Sequence, residues 1–141
     1  MKKIVAAVFA AGAMALSLGA AQPASAAASY ISVNEVWING CPSGYVCLLF
    51  DYQLQYGGYG YYNDVWNMAT ISSPYNSMNN SASSARNSSS AGNATKFYDV
   101  AGGSGTSRCL RPGYSVSNLG VLDNKTSALV WSSSCGSVAY F

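Results

Sequence analysis

The chain has no histidine. That absence removes the commonest general base, the Ser-His and Cys-His nucleophile pairs and every imidazole-based zinc site. Charge is nearly as scarce, at 9% of 141 residues. The carboxylates are Glu35, Asp51, Asp64, Asp99 and Asp123, and no two of them form a recognisable acid–base pair. No basic run is present to hold a nucleic-acid backbone. Beyond the N-terminal segment no apolar stretch is long enough to span a membrane. No helical periodicity there outlasts a single turn. These deficits point to a protein that binds rather than one that catalyses.

The N-terminal segment reads as a leader. Lys2 and Lys3 precede a nearly unbroken apolar run over residues 4–18. Gln22-Pro23 ends that run, and Ala24-Ser25-Ala26 is a small-residue cleavage site. The expectation is a signal peptide at 1–26, an N-terminal extension at 27–40 and a folded domain at 41–141. Two of the seven basic residues leave with the leader, so five face five acidic residues and the net charge is zero. The mature protein is expected to be secreted, extracellular and monomeric, with no nucleic-acid partner and no membrane partner.

Four cysteines stand at 41, 47, 109 and 135. An even count in an exported chain reads as two disulfides, with three possible connectivities. Pro42-Ser43-Gly44 forms a turn that brings Cys41 to Cys47, which leaves Cys109–Cys135. Zinc ligation is disfavoured because the spacing does not make two short pairs.

The remaining composition is rich in Tyr, Ser, Gly and Asn. Short strands are expected at residues 30–37 (an edge strand), 45–50, 64–66, 84–87, 95–100, 114–119, 129–131 and 138–141, and residues 108–110 start either a strand or an exposed loop. Residues 52–62 alternate Tyr with Gly and read as a hairpin, with Gly supplying positive φ and Tyr covering the sheet. Residues 68–78 read as a long polar loop. Asn39-Gly40, residues 101–105 and Pro112-Gly113 are turn signals. Many short strands at close spacing make an all-β sandwich or barrel.

One pattern occurs twice. Asn79-Asn80-Ser81-Ala82-Ser83-Ser84 is echoed 44 positions on by Asp123-Asn124-Lys125-Thr126-Ser127-Ala128. A unit of that length used twice implies a two-part fold in which each half closes on the same turn. The donors on offer are side-chain oxygens from Asn79, Asn80, Ser83, Asp123, Asn124 and Ser127, which suit a hard cation such as calcium. The same residues also make turns by bonding to nearby backbone amides. With so few carboxylates, any affinity belongs in the ~10⁻⁴ to 10⁻³ M range of extracellular modules.

Cys41-Pro42-Ser43-Gly44-Tyr45-Val46-Cys47, the apolar run after it and Tyr56-Gly57-Gly58 resemble the start of a family of secreted actinobacterial peptidase inhibitors, which includes the streptomycete metalloproteinase inhibitor. The similarity continues through Ser83-Ser84-Ala85-Arg86, Thr95-Lys96-Phe97, Cys109-Leu110-Arg111 and Pro112-Gly113. The resemblance implies a βγ-crystallin-like sandwich of two Greek keys. Residues 98–105 look like that fold's hairpin signature, with Gly103 where a second aromatic is usual, and Ala128 stands where its calcium signature has Ser.

The resemblance further implies an inhibitor of an extracellular, thermolysin-like zinc protease. Its reactive bond would be Cys109–Leu110, flanked by Arg108 and Arg111. Leu110 would fill the enzyme's apolar pocket and the Cys109 carbonyl would face its metal. One departure stands out. The family pairs this cysteine a few residues downstream, whereas here the downstream cysteine is Cys135, 26 positions away. Two other readings fit the fold: a calcium-binding structural or cell-surface module, and a killer-toxin-like antimicrobial protein whose Tyr52, Tyr56, Tyr59, Tyr61 and Tyr62 stack on cell-wall sugars.

Overall fold

The computed structural model describes residues 29–33, 40–55 and 57–141. The leader, Glu35, Trp37, Asn39 and Tyr56 lie outside them. Among the described residues eight strands form two antiparallel sheets. The first has the order β1 (Tyr30–Val33), β3 (Gly58–Tyr61), β2 (Val46–Leu49), β4 (Ser84–Asn87), β7 (Ser115–Val116). The second has the order β6 (Ser104–Leu110), β5 (Ala94–Val100), β8 (Ala128–Ser132).

Strand alternation decides what each sheet buries. In β2, Val46 and Leu48 point into the space between the sheets, where they meet Tyr61, Ala85, Phe97, Leu110 and Leu129. The alternate residues, Cys47 and Leu49, point outward and are covered by Cys41, Tyr45, Ile31 and Leu54. All four β2 residues are therefore buried, and both faces of this strand are hydrophobic. The Cys41–Cys47 disulfide, with Cα atoms 5.9 Å apart, is part of that outer cover. Cys109–Cys135 is formed as well.

Each half lends a piece to the other. β7 belongs to the second half of the chain but pairs with β4 of the first. Val65 belongs to the first half but exchanges two 2.8 Å backbone hydrogen bonds with Leu129 on β8. This crossing of connections is what a pair of interlocked Greek keys requires.

Several sequence expectations need correcting. Residues 64–66 make a single bridge rather than a strand, and residues 138–141 contribute one parallel bridge, from Tyr140 to Cys109. The strand expected over 114–119 shortens to Ser115–Val116, with Leu119 buried beyond it. Residues 68–78 are not simply a polar loop. They contain two single-turn 3-10 segments, Met68–Thr70 and Tyr75–Met78, whose methionines are fully buried.

The hairpin read over residues 52–62 instead pairs β2 with β3, and Tyr52–Leu54 is a single 3-10 turn within its connection. Positive φ in its connection falls on Gln53 and Leu54. Gly58 and Gly60 are extended and serve close approach instead. A Cβ on Gly58 would sit 1.9 Å from the Leu48 carbonyl oxygen. Tyr61, the last residue of β3, is buried and donates its phenol to the Tyr75 carbonyl at 2.8 Å. Burial, then the nearby Tyr59 and Tyr30, push its pKa well above the usual phenol range.

Candidate functional site

The repeated turns are built alike, atom for atom. In the first, Asn79 N donates to Asn76 O, Ser81 N to Met78 O and Ser83 N to Leu49 O. In the second, Asp123 N donates to Gly120 O, Lys125 N to Leu122 O and Ser127 N to Tyr98 O. Asn80 and Asn124 take the left-handed conformation, at φ 57° and 53°, which Asn tolerates better than most residues. Met78 and Leu122, at equivalent places, are fully buried anchors.

The two turns also hold each other. Asn80 N donates to Thr126 O at 3.0 Å, and Asn124 N donates to Ala82 O at 2.9 Å. The Ser127 hydroxyl lies 3.0 Å from Asn80 Oδ1. Of the six candidate ligands, the structure thus brings Asn80 and Ser127 together. Ser83 is buried near its own turn, and Asn124 is exposed.

Asp123 has a different set of neighbours. Its Oδ2 accepts from the Tyr52 hydroxyl at 2.6 Å. Its Oδ1 is enclosed and has no hydrogen-bond partner among the described residues. The hydrogen bond to Asp123, then the charges of Asp123 and Asp51, raise the Tyr52 pKa. Asp51 precedes Tyr52 and accepts its N–H at 2.6 Å, and the Asp51 carbonyl accepts from the buried Ser84 hydroxyl. Asp51, Tyr52 and Ser84 were not singled out as ligands from the sequence. Asp51 and Tyr52 lie outside the repeated motif, and only the fold brings them to it.

The mirror position is poorer in oxygen. The matching bonds from Ser83 to Leu49 and from Ser127 to Tyr98 align those partners. Two residues on from each, Asp51 aligns with Val100. Ser84 aligns with Ala128 and Asp123 with Asn79. One copy therefore has two carboxylates and a hydroxyl, and the other has an amide, an isopropyl group and a methyl group.

The predicted inhibitor segment lies elsewhere, at the end of β6. Cys109 is 1% exposed and Leu110 4%. The Cys109 N–H donates to the Ala139 carbonyl at 2.9 Å, and its carbonyl accepts from the Phe141 N–H at 3.3 Å. Its other edge pairs with Lys96 of β5. The Leu110 side chain is part of the main core. Arg108 is half-buried, and Arg111 is held between the rings of Tyr114 and Tyr140, 4.3 and 5.1 Å from their centroids. The segment that the resemblance makes reactive is therefore a strand with both edges occupied at Cys109.

The tyrosines also separate. Tyr52 serves Asp123, Tyr61 is core, and Tyr59 packs edge-on against Phe50 and Tyr75. Tyr62 lines a surface cleft, and Tyr56 lies outside the described residues. Among the described residues no cluster of three His, Cys, Asp or Glu is placed to hold a metal.

A solved structure described as "Evolution of the eye lens beta-gamma-crystallin domain fold" matches this chain with a TM-score of 0.59. It covers 74% of this chain and 97% of its own, at 17% identity. The fold is that of a βγ-crystallin domain. No family model and no curated protein matches the chain. At this identity the likeness concerns the fold alone. Within the βγ-crystallin fold, the hairpin signature at residues 98–105 explains its own departure. Gly105 has φ 80°, and the Thr106 N–H caps Asp99 Oδ1 at 2.7 Å. At Gly103, the place of the usual second aromatic, a Cβ would lie 2.8 Å from the Trp66 ring. The aromatic comes from the other half of the chain.

Proposed function

We propose that this is an exported βγ-crystallin-type module that acts by binding, with one calcium-competent turn centred on Asp123. The observation that carries this reading is the enclosed Asp123 Oδ1, which has no partner among the described residues. A buried carboxylate oxygen without a donor is costly, and a cation would relieve that cost. Asp123, the Asp51 carbonyl and the Ser84 hydroxyl are oxygen donors of the type calcium takes. The two disulfides are compatible with an extracellular location, where millimolar calcium would fill a weak site.

The test is thermal unfolding with and without about 10 mM calcium. An affinity of ~10⁻⁴ to 10⁻³ M corresponds to about 1.4–2.7 kcal/mol of added stability at that concentration. Asp123→Asn should lose this gain, and Asn79→Ala in the mirror turn should keep it. A melting temperature indifferent to calcium, or a gain that survives in Asp123→Asn, rules the reading out.

Protease inhibition through Cys109–Leu110 has less support, because Leu110 fills the core and both edges of its strand are bonded. An inhibitor gains from a preformed, accessible loop, and here the segment would have to leave its sheet. A thermolysin-type protease mixed with excess mature protein is therefore expected to keep its activity. Stoichiometric loss of activity that Leu110→Asp abolishes would reinstate the inhibitor reading.

A further inference from the structure

A cleft of about 570 Å³ runs between residues 62–66 and residues 89–93, a size typical of small-molecule sites. Its chemistry is mixed. Tyr62 and Trp66 bring rings that are 43% and 52% exposed, and Trp131 of β8 lines the same cleft. Asn63, Asp64 and Asn93 add amide and carboxylate groups. Among the described residues no lysine or arginine lines it.

The walls are fixed rather than loose. The Trp66 carbonyl accepts from the Gly102 N–H at 2.6 Å, and its ring lies against Gly103, where a Cβ would clash. Asp64 Oδ1 accepts the Trp131 backbone N–H at 2.7 Å. On the far side, buried Asn87 donates to the Asn93 carbonyl at 2.9 Å and accepts from the Ser89 N–H at 2.9 Å. The loop is closed by a hydrogen bond from Asn93 N to Ser89 Oγ at 2.8 Å. The indole N–H of Trp131 is enclosed and has no acceptor among the described residues.

We propose that this cleft binds a neutral saccharide chain. Pyranose rings present apolar C–H faces to aromatic rings and hydroxyls to amides and carboxylates, and the cleft offers both surfaces side by side. The absence of a basic lining residue and the presence of Asp64 select against sulfated or uronic glycans. Rings and loop are held before binding, so little order is lost on association. The cleft shares no residue with the calcium reading and stands or falls independently of it.

The test is titration of the mature protein with neutral hexasaccharides of glucose, xylose and N-acetylglucosamine, followed by tryptophan fluorescence and calorimetry, with heparin as the polyanion. Saturable binding of at least one hexasaccharide is expected, with none of heparin. Trp66→Ala, checked for folding by circular dichroism, should weaken it about tenfold or more, as loss of a central aromatic anchor does. Ala91→Arg, at an exposed position on the lip, should block the cleft without touching the core. It serves as the test even if Trp66→Ala does not fold. Failure of all three hexasaccharides to saturate overturns the proposal. So does preferential binding of heparin, or undiminished binding by Ala91→Arg or by a folded Trp66→Ala.

Discussion

Gly58→Ala is expected to destabilise the domain by about 3 kcal/mol or more, at the upper end of overpacking costs, and to lower the melting temperature by on the order of 10 °C. The reason is local and steric. β3 lies between β1 and β2, with Gly58 paired to Val33 on one side and Leu49 on the other. A methyl group there would meet the Leu48 carbonyl oxygen at 1.9 Å and the Leu49 Cα at 2.8 Å. Those are backbone atoms of a strand buried on both faces, so neither can step aside. At Gly60 the obstacle is the Ile31 side chain, which can rotate, so Gly60→Ala should cost less. Gly113 is a further control. It has φ 78° with nothing within 4 Å, so alanine there carries only left-handed strain, about 1–2 kcal/mol. Denaturant midpoints for the three variants decide the matter. Equal losses at Gly58 and Gly113 would mean that backbone freedom, not close approach, sets the hairpin.

Removing the Cys109–Cys135 disulfide as a double alanine variant should cost about 3.5 kcal/mol, against about 2.2 kcal/mol for Cys41–Cys47. The chain-entropy model gives these values for separations of 26 and 6 residues. The larger loss should also be localised. Cys135 anchors a C-terminal strap whose Ala139, Tyr140 and Phe141 bond or bridge to Cys109. Phe141 packs edge-on against Phe97 at 5.1 Å. Without the disulfide, the Phe141 and Cys109 amides should lose hydrogen-exchange protection before the β5–β8 pairing does. Uniform loss across both sheets would mean that the strap is not a separate unit. This strap covers the bond that sequence resemblance picked out as reactive.

That mismatch locates the limit of the sequence. Leu110 beside a cysteine looks the same whether it lines a protruding loop or closes a core. Only the tertiary partner, residues 139–141 at the far end of the chain, distinguishes them. The repeated turns were legible because their chemistry is local. Asn at a left-handed position and Ser or Thr capping nearby groups leave a mark in six residues. Both disulfides could be read from spacing and an even count. The Tyr-Gly hairpin was visible, but its glycines answer to a neighbouring carbonyl, which no local pattern encodes. The Asp51–Tyr52–Asp123 contact spans 71 positions between its phenol and its carboxylate. Trp66 and Gly103 are 37 positions apart (103 − 66), again beyond any local pattern, and half of the cleft's character depends on their contact.

The exchange of Val65 for β7 has a consequence for how the molecule comes apart. A repeat that keeps its neighbour's strand and has given away its own cannot be complete by itself. The halves are therefore obliged to melt together, as one cooperative transition, and damage confined to one of them should be felt with equal force in the other.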